Sequence, residues 1–165
     1  MSKELSSLKI QIDPLTDSRS QELVRFHLQQ MRAGSPPDQA FALDISGLQS
    51  PDITVWSAWH DDKVCGIGAL KKLSDGNGEI KSMRTHPDFL RSGIAAKILE
   101  TIIYSAQERG YRRLSLETGC GPLFEPALEL YRRYGFIAGE AFGSYQPSEF
   151  NQFFHLVLHP CPTAG

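Results

Sequence analysis

Thr85-His86-Pro87-Asp88-Phe89-Leu90-Arg91-Ser92-Gly93-Ile94-Ala95 joins the end of one apolar run to the start of another with a different period, and the fold turns on that junction. Beyond it, Ile94, Ala95, Ile98, Leu99, Ile102, Ile103 and Ala106 recur at three- and four-residue spacing, which predicts a helix over residues 92–109 with Gly110 as its stop. Before it, residues 79–85 fit a strand. A strand that feeds a long helix through a short loop is built to hold an anion. First-turn N–H groups lack intrahelical partners, and the macrodipole places partial positive charge at that end. Gly93 lets a phosphate approach the backbone closely, and Arg91 offers a charge-assisted contact. The residues alone leave a second role open, in which Gly93 serves helix–sheet packing and Arg91 solvates a helix end.

Working upstream, residues 53–59 and 64–70 are apolar-rich runs joined by His60-Asp61-Asp62-Lys63, an antiparallel hairpin pattern. The turn signal Asp75-Gly76-Asn77-Gly78 then leads into the strand at 79–85, so three strands form a meander. A helix is predicted over residues 18–32, with Ser18-x-x-Gln21 as a capping box and Leu23, Phe26, His27 and Met31 on one side. A short strand at 9–12 precedes it, and residues 41–48 are a short helix or an irregular segment. Downstream come a strand at 112–117, a helix at 124–134 closed by Gly135, and a last strand at 151–158. The order is mixed α/β with an antiparallel first half.

Composition narrows the function classes. In 165 residues, 41% are hydrophobic and 22% charged, ordinary values for a globular chain of one-domain size. The net charge of −2, with basic residues clustered no further than short pairs such as Arg112-Arg113 and Arg132-Arg133, gives no footprint for nucleic acid. Cys65, Cys120 and Cys161 lack metal-ligand spacing and fit reduced thiols, and the five histidines do not cluster, so no metal is expected. No apolar run reaches membrane-spanning length and the first ten residues lack a signal-peptide pattern, so the expected setting is cytoplasmic, without a membrane partner.

The junction resembles the acetyl-CoA signature of the GNAT superfamily of N-acetyltransferases, a Gln or Arg followed by x-x-Gly-x-Gly/Ala. Gly93 and Ala95 stand in their places, whereas Leu90 occupies the first position and the arginine is displaced by one to Arg91. Residues 79–85 are similar to the family's central strand, and Ala127 to Phe136 to its late helix. Chain length fits one domain, here GNAT-like over residues 1–160, and the residues at 161–165 read as a flexible tail. The resemblance implies a mostly antiparallel sheet of six or seven strands, splayed at the middle and flanked by helices. Acetyl-CoA would be the co-substrate, its pantetheine arm paired with the backbone of Met83, Arg84 and Thr85 and its pyrophosphate held by Arg91, Ser92, Gly93, Ile94, Ala95 and Ala96. A homodimer is a further expectation of the resemblance alone.

Acetyl transfer to an amine needs two proton movements: an alkylammonium with a pKa of about 10 must be deprotonated, and the departing thiolate, of pKa about 8.5, gains a proton. The resemblance matches Tyr131 to the helix tyrosine near the coenzyme A sulfur, making it the candidate acid; by periodicity alone it belongs to the core stripe Ala127, Leu130, Tyr131 and Tyr134. Glu79 is the candidate base, against a solvated carboxylate beside a turn, and Glu117 is the reserve base. Cys120 would carry an acyl-enzyme route only with an activating partner the local sequence does not reveal. Trp56, Trp59, Phe142, Tyr145 and Phe150 are candidates for an acceptor pocket, with core packing as the ordinary alternative. The expected acceptor is a small-molecule amine. A non-catalytic acyl-CoA-binding module on the same fold is the rival, and it would need neither an acid nor a base.

Overall fold

The computed structural model describes residues 7–159 apart from 39 and 75, so the tail expected at 161–165 lies outside the described residues. Thirteen elements follow one another, and seven of them are strands of one sheet: β1 Leu8–Ile12, β2 Ile53–His60, β3 Lys63–Lys72, β4 Asn77–Thr85, β5 Arg113–Gly119, β6 Ile137–Gly139 and β7 Asn151–Val157. Their spatial order is β1-β2-β3-β4-β5-β7-β6. All neighbours are antiparallel except β4 and β5, which run parallel.

The helices are α1 Ser18–Ala33, α2 Ile45–Leu48, α3 Ile94–Glu108 and α4 Glu125–Arg133, and they divide between the two faces of the sheet. On one face Ile94, Ile98, Leu99 and Ile102 of α3, with Leu128 and Tyr131 of α4, pack on Leu70, Ile80, Leu114, Leu116 and Phe154. On the other, Leu23 and Val24 of α1 and Leu48 of α2 cover Val55, Val64, Ile67 and Ala69. Side chains alternate across a strand. Glu79 and Lys81, which flank Ile80, and Glu117, which follows Leu116, therefore face α1 and α2.

Two features depart from the sequence-based expectation. The N-cap of α1 is Asp17 rather than Ser18: Asp17 sits in extended backbone and its carboxylate accepts from the Arg19 N–H at 2.8 Å, while Gln21 turns back to donate to the Leu15 carbonyl. An ionised carboxylate outcompetes a hydroxyl for helix-end amides. The sheet also ends on β6, whose three residues are all exposed and so carry no apolar alternation to reveal it.

Gly66 and Gly68 let α3 lie close on β3. A Cβ at Gly68 would stand 2.5 Å from Met83 Sδ and 2.7 Å from Ile98 Cγ2, and one at Gly66 would meet Ile94 at 2.7 Å. Gly68→Ala is expected to cost about 1–3 kcal/mol by overpacking, read as a lower urea midpoint at unchanged slope. No helix among the described residues is long and apolar enough to cross a membrane.

Candidate active site

The middle of the sheet opens because β4 and β5 pair for only three residues, Asn77↔Arg113, Gly78↔Leu114 and Glu79↔Ser115, although both strands continue well past that point. A bulge accompanies the parting. The β3–β4 register slips between Ile67 and Ala69, and Ser82 adopts the left-handed region at φ 57°. Such an extra residue bends and twists a strand away from its neighbour. The resulting cleft, of about 170 Å³, is lined from the α4 side by Ile80, Met83, Phe124, Ala127 and Tyr131, and from the α1 side by His27, Gln30, Phe41, Arg84 and Tyr145. It passes between the two faces of the sheet.

Glu79, Met83, Arg84 and Tyr131, four of the candidates named from sequence, share this cleft, as does the reserve carboxylate Glu117. Thr85 and residues 91–96 are not in its wall; they lie at the far end of β4 and across the turn into α3. There Arg91 and Gly93 both have positive φ, 62° and 79°, and α3 begins with no side-chain cap on its first-turn amides. A Cβ built at Gly93 meets nothing within 4 Å, so the backbone at the helix mouth is open to a ligand. Ser92 is tied back to the Phe89 carbonyl through its hydroxyl, and the Ile94 side chain is buried in the core.

Three residues that the sequence did not bring together dominate the α1 side. The Glu79 carboxylate, 3% exposed, accepts from Lys81 Nζ at 3.1 Å and from the Tyr145 hydroxyl, and Lys81 Nζ also reaches Tyr145 Oη at 2.7 Å. Tyr145 packs edge-on against Phe41 and Phe142; of the aromatic candidates Tyr145 lines the cleft and Phe142 stands behind it, while Phe41, which the sequence did not single out, lines it too. Trp56 and Trp59 are core and Phe150 is exposed. Cys120 is exposed and not in the wall of the cleft. Among the described residues no group of His, Cys, Asp or Glu is placed to hold a metal ion.

Burial sets the protonation states. Desolvation pushes the Glu117 carboxyl up to about 7, opposed by Lys81 and by a hydrogen bond with Asn151 and reinforced by the charge of Glu79. Desolvation raises the Tyr131 phenol well above its usual range, and the same effect, joined by Glu79, raises Tyr145. His27 is depressed to about 3 by burial and by Arg84, so it is neutral, and its Nδ1 accepts from Arg84 Nε at 3.0 Å. Ser82 Oγ, at the bulge, is the one buried side-chain polar atom among the described residues with no hydrogen-bond partner. Buried polar atoms are nearly always hydrogen-bonded, so this one marks a place where a ligand or an ordered water can bind.

The model of the acetyltransferase (GNAT) family matches residues 20–136. The uncharacterized N-acetyltransferase YsnE of Bacillus subtilis (strain 168) is 49% identical over 138 residues, covering 84% of this chain and 91% of the relative. The uncharacterized N-acetyltransferase YedL of Escherichia coli (strain K12) is 44% identical over 149 residues, 90% and 94% of the two chains. Among solved structures, a GNAT-family acetyltransferase from Staphylococcus aureus Mu50 superposes with a TM-score of 0.69 at 21% identity, over 92% of this chain and 100% of the other. A Bacillus subtilis acetyltransferase in complex with CoA superposes at 0.65 with 18% identity, over 92% and 99%.

Proposed function

The chain belongs to the GNAT family of acetyltransferases and is an acyltransferase, and from that premise we propose that it moves an acetyl group from acetyl-CoA to the amine of a small-molecule acceptor by direct attack in a ternary complex. The observation that carries this reading is the cleft between the two faces of the sheet, with a phenol kept protonated on one side and a carboxyl poised near neutrality on the other. A module that only binds acyl-CoA has no use for that pairing.

The residues present fit acetyl-CoA. The uncapped first turn of α3, Gly93 and the loop from Arg91 would hold the pyrophosphate. The backbone of β4 from Met83 to Thr85, past the end of its ladder with β5, would pair with the pantetheine arm, and Ser82 Oγ would gain the partner it lacks. Bound there, acetyl-CoA supplies the activated acyl group. A backbone N–H of the parted strand is suited to steady charge that develops on the thioester oxygen.

Glu117 takes the amine proton, because a base with a pKa near the working pH combines a useful ionised fraction with driving force. Glu79, preferred from sequence, already receives Lys81 and Tyr145; its role is to fix that pair and to raise Glu117. Tyr131, kept protonated by burial, is the acid of this reading: its hydroxyl donates a hydrogen bond to the departing sulfur and steadies the charge that develops there. The test is acceptor-dependent release of free coenzyme A across an amine panel. Tyr131→Phe is expected to lower kcat about 100-fold with the thermal midpoint held within a few degrees. An unchanged kcat would remove Tyr131 from the reaction.

A further inference from the structure

The cleft contains a charge that neither the fold nor the co-substrate explains. Arg84 lines its α1 side, half-buried and desolvated enough that its guanidinium is held below the usual arginine range. Arg84 Nε donates to His27 Nδ1, and its guanidinium carbon lies 5.7 Å from the centre of the Phe26 ring. Both contacts orient the group, yet neither neutralises it: His27 is uncharged and Phe26 offers only a π face. Among the described residues Arg84 forms no ion pair, and its two terminal nitrogens make no hydrogen bond to another described residue.

The other charges of the cleft are accounted for. Lys81 is bonded to Glu79 at 3.1 Å, and Glu117 titrates near neutrality. The co-substrate does not supply the missing anion, since the phosphates fit the mouth of α3 while the pantetheine arm in the cleft carries amides and no charge. Burying an unpaired guanidinium is costly. A planar guanidinium whose Nε is already engaged presents its two terminal nitrogens as a fork that matches a carboxylate.

We infer that the acceptor is an amino carboxylic acid, gripped by Arg84 through its carboxylate while its amino group lies at the Glu117 end of the cleft. This rests on the acetyltransferase reading above and gives it a substrate class. A carboxylate fits better than a dianionic phosphate, because Arg84 is a single cation and the cleft of about 170 Å³ must also hold the acetyl arm. His27 acts as a positioning residue: neutral, with Nδ1 as acceptor, it fixes the guanidinium without competing for the anion.

Two measurements on the full chain test this. In the first, coenzyme A release is followed with the twenty amino acids, their decarboxylated amines and matched aminophosphonates, for wild type, Arg84→Gln and Arg84→Lys. The wild type is expected to favour at least one amino acid over its decarboxylated amine by 100-fold or more in kcat/KM. Arg84→Gln should collapse that ratio towards one through KM for the amino acid, and Arg84→Lys should restore part of it. Preference for the decarboxylated amines, for the aminophosphonates, or a ratio that survives in Arg84→Gln would overturn the assignment. The second measurement needs no turnover: calorimetry of the twenty N-acetyl amino acids against wild type and Arg84→Gln saturated with coenzyme A. Binding that weakens at least 30-fold in Arg84→Gln supports the carboxylate grip even if every amine fails as a substrate, in which case the catalytic reading alone is lost. Equal binding by both proteins, or binding of none of the twenty, overturns it.

Discussion

Glu117→Gln is expected to lower kcat/KM about 1,000-fold at pH 7.5, within the span that removal of a positioned general base produces. The wild-type rate should fall tenfold per pH unit below about 7, where the carboxylate takes up its proton, and the variant should lack that inflection. Stability must move the other way. The folded pKa of Glu117 is raised above its ordinary value of 4.5 because burial penalises the ionised form. The contribution of the group to stability is therefore complete below about 4.5 and is lost as pH rises through about 7. Above that pH the wild type keeps a desolvated charge that glutamine does not carry. The variant should then be the more stable protein at pH 8, the difference shrinking towards pH 4.5 in urea titrations. A variant that is both inactive and less stable at pH 8 would assign Glu117 to the structure instead of the reaction. The neighbours that face Glu117, namely Lys81, Asn151, Glu79 and Tyr145, remain in place in this comparison.

The elements that position this site were legible in the sequence to different depths. The apolar period from Ile94 to Ala106 determines α3 by itself, because a face of that width must be buried. The family resemblance carried the parting of β4 and β5, which no local pattern announces. Ser82 at positive φ is not a glycine, so the bulge has no signal of its own in the chain. Glu79 was readable as a strand carboxylate, whereas its bonds to Lys81 and Tyr145 were not: Lys81 carries no signal of its own, and Tyr145 lies 66 positions from Glu79 and arrives on the segment between β6 and β7. Arg84 drew attention for its backbone, yet its side chain is set by His27, 57 residues upstream. Local propensity determines helices and strands; which polar groups meet across a cleft depends on where the whole sheet puts them.

Asp13→Ala is expected to cost about 3–4 kcal/mol, since it leaves two buried hydroxyls without their charged partner. Asp13 is 6% exposed and follows β1. Its Oδ2 accepts from Ser20 Oγ of α1 and Ser57 Oγ of β2, each at 2.6 Å, and its Oδ1 accepts from the Leu15 N–H at 2.7 Å. Ser20 and Ser57 have no solvent exposure, and Trp59 Nε1 donates to Ser57 Oγ at 2.8 Å, so no water can replace the carboxylate cheaply. Leu15 holds φ at 60°, an uncommon conformation for a branched side chain, and the Asp13 bond together with its own burial keeps it there. Asp13→Asn keeps one acceptor oxygen and should cost about half as much. The consequence reaches the cleft, because the same carboxylate anchors the first turn of the helix that carries His27 to Arg84. At temperatures where Asp13→Asn is still folded, KM for the acceptor should rise several-fold while affinity for acetyl-CoA, whose proposed phosphate site at the start of α3 is outside the cleft wall, stays within a factor of two. A loss of stability under 1 kcal/mol in Asp13→Ala would mean that the three bonds offset little more than the desolvation of the charge they surround.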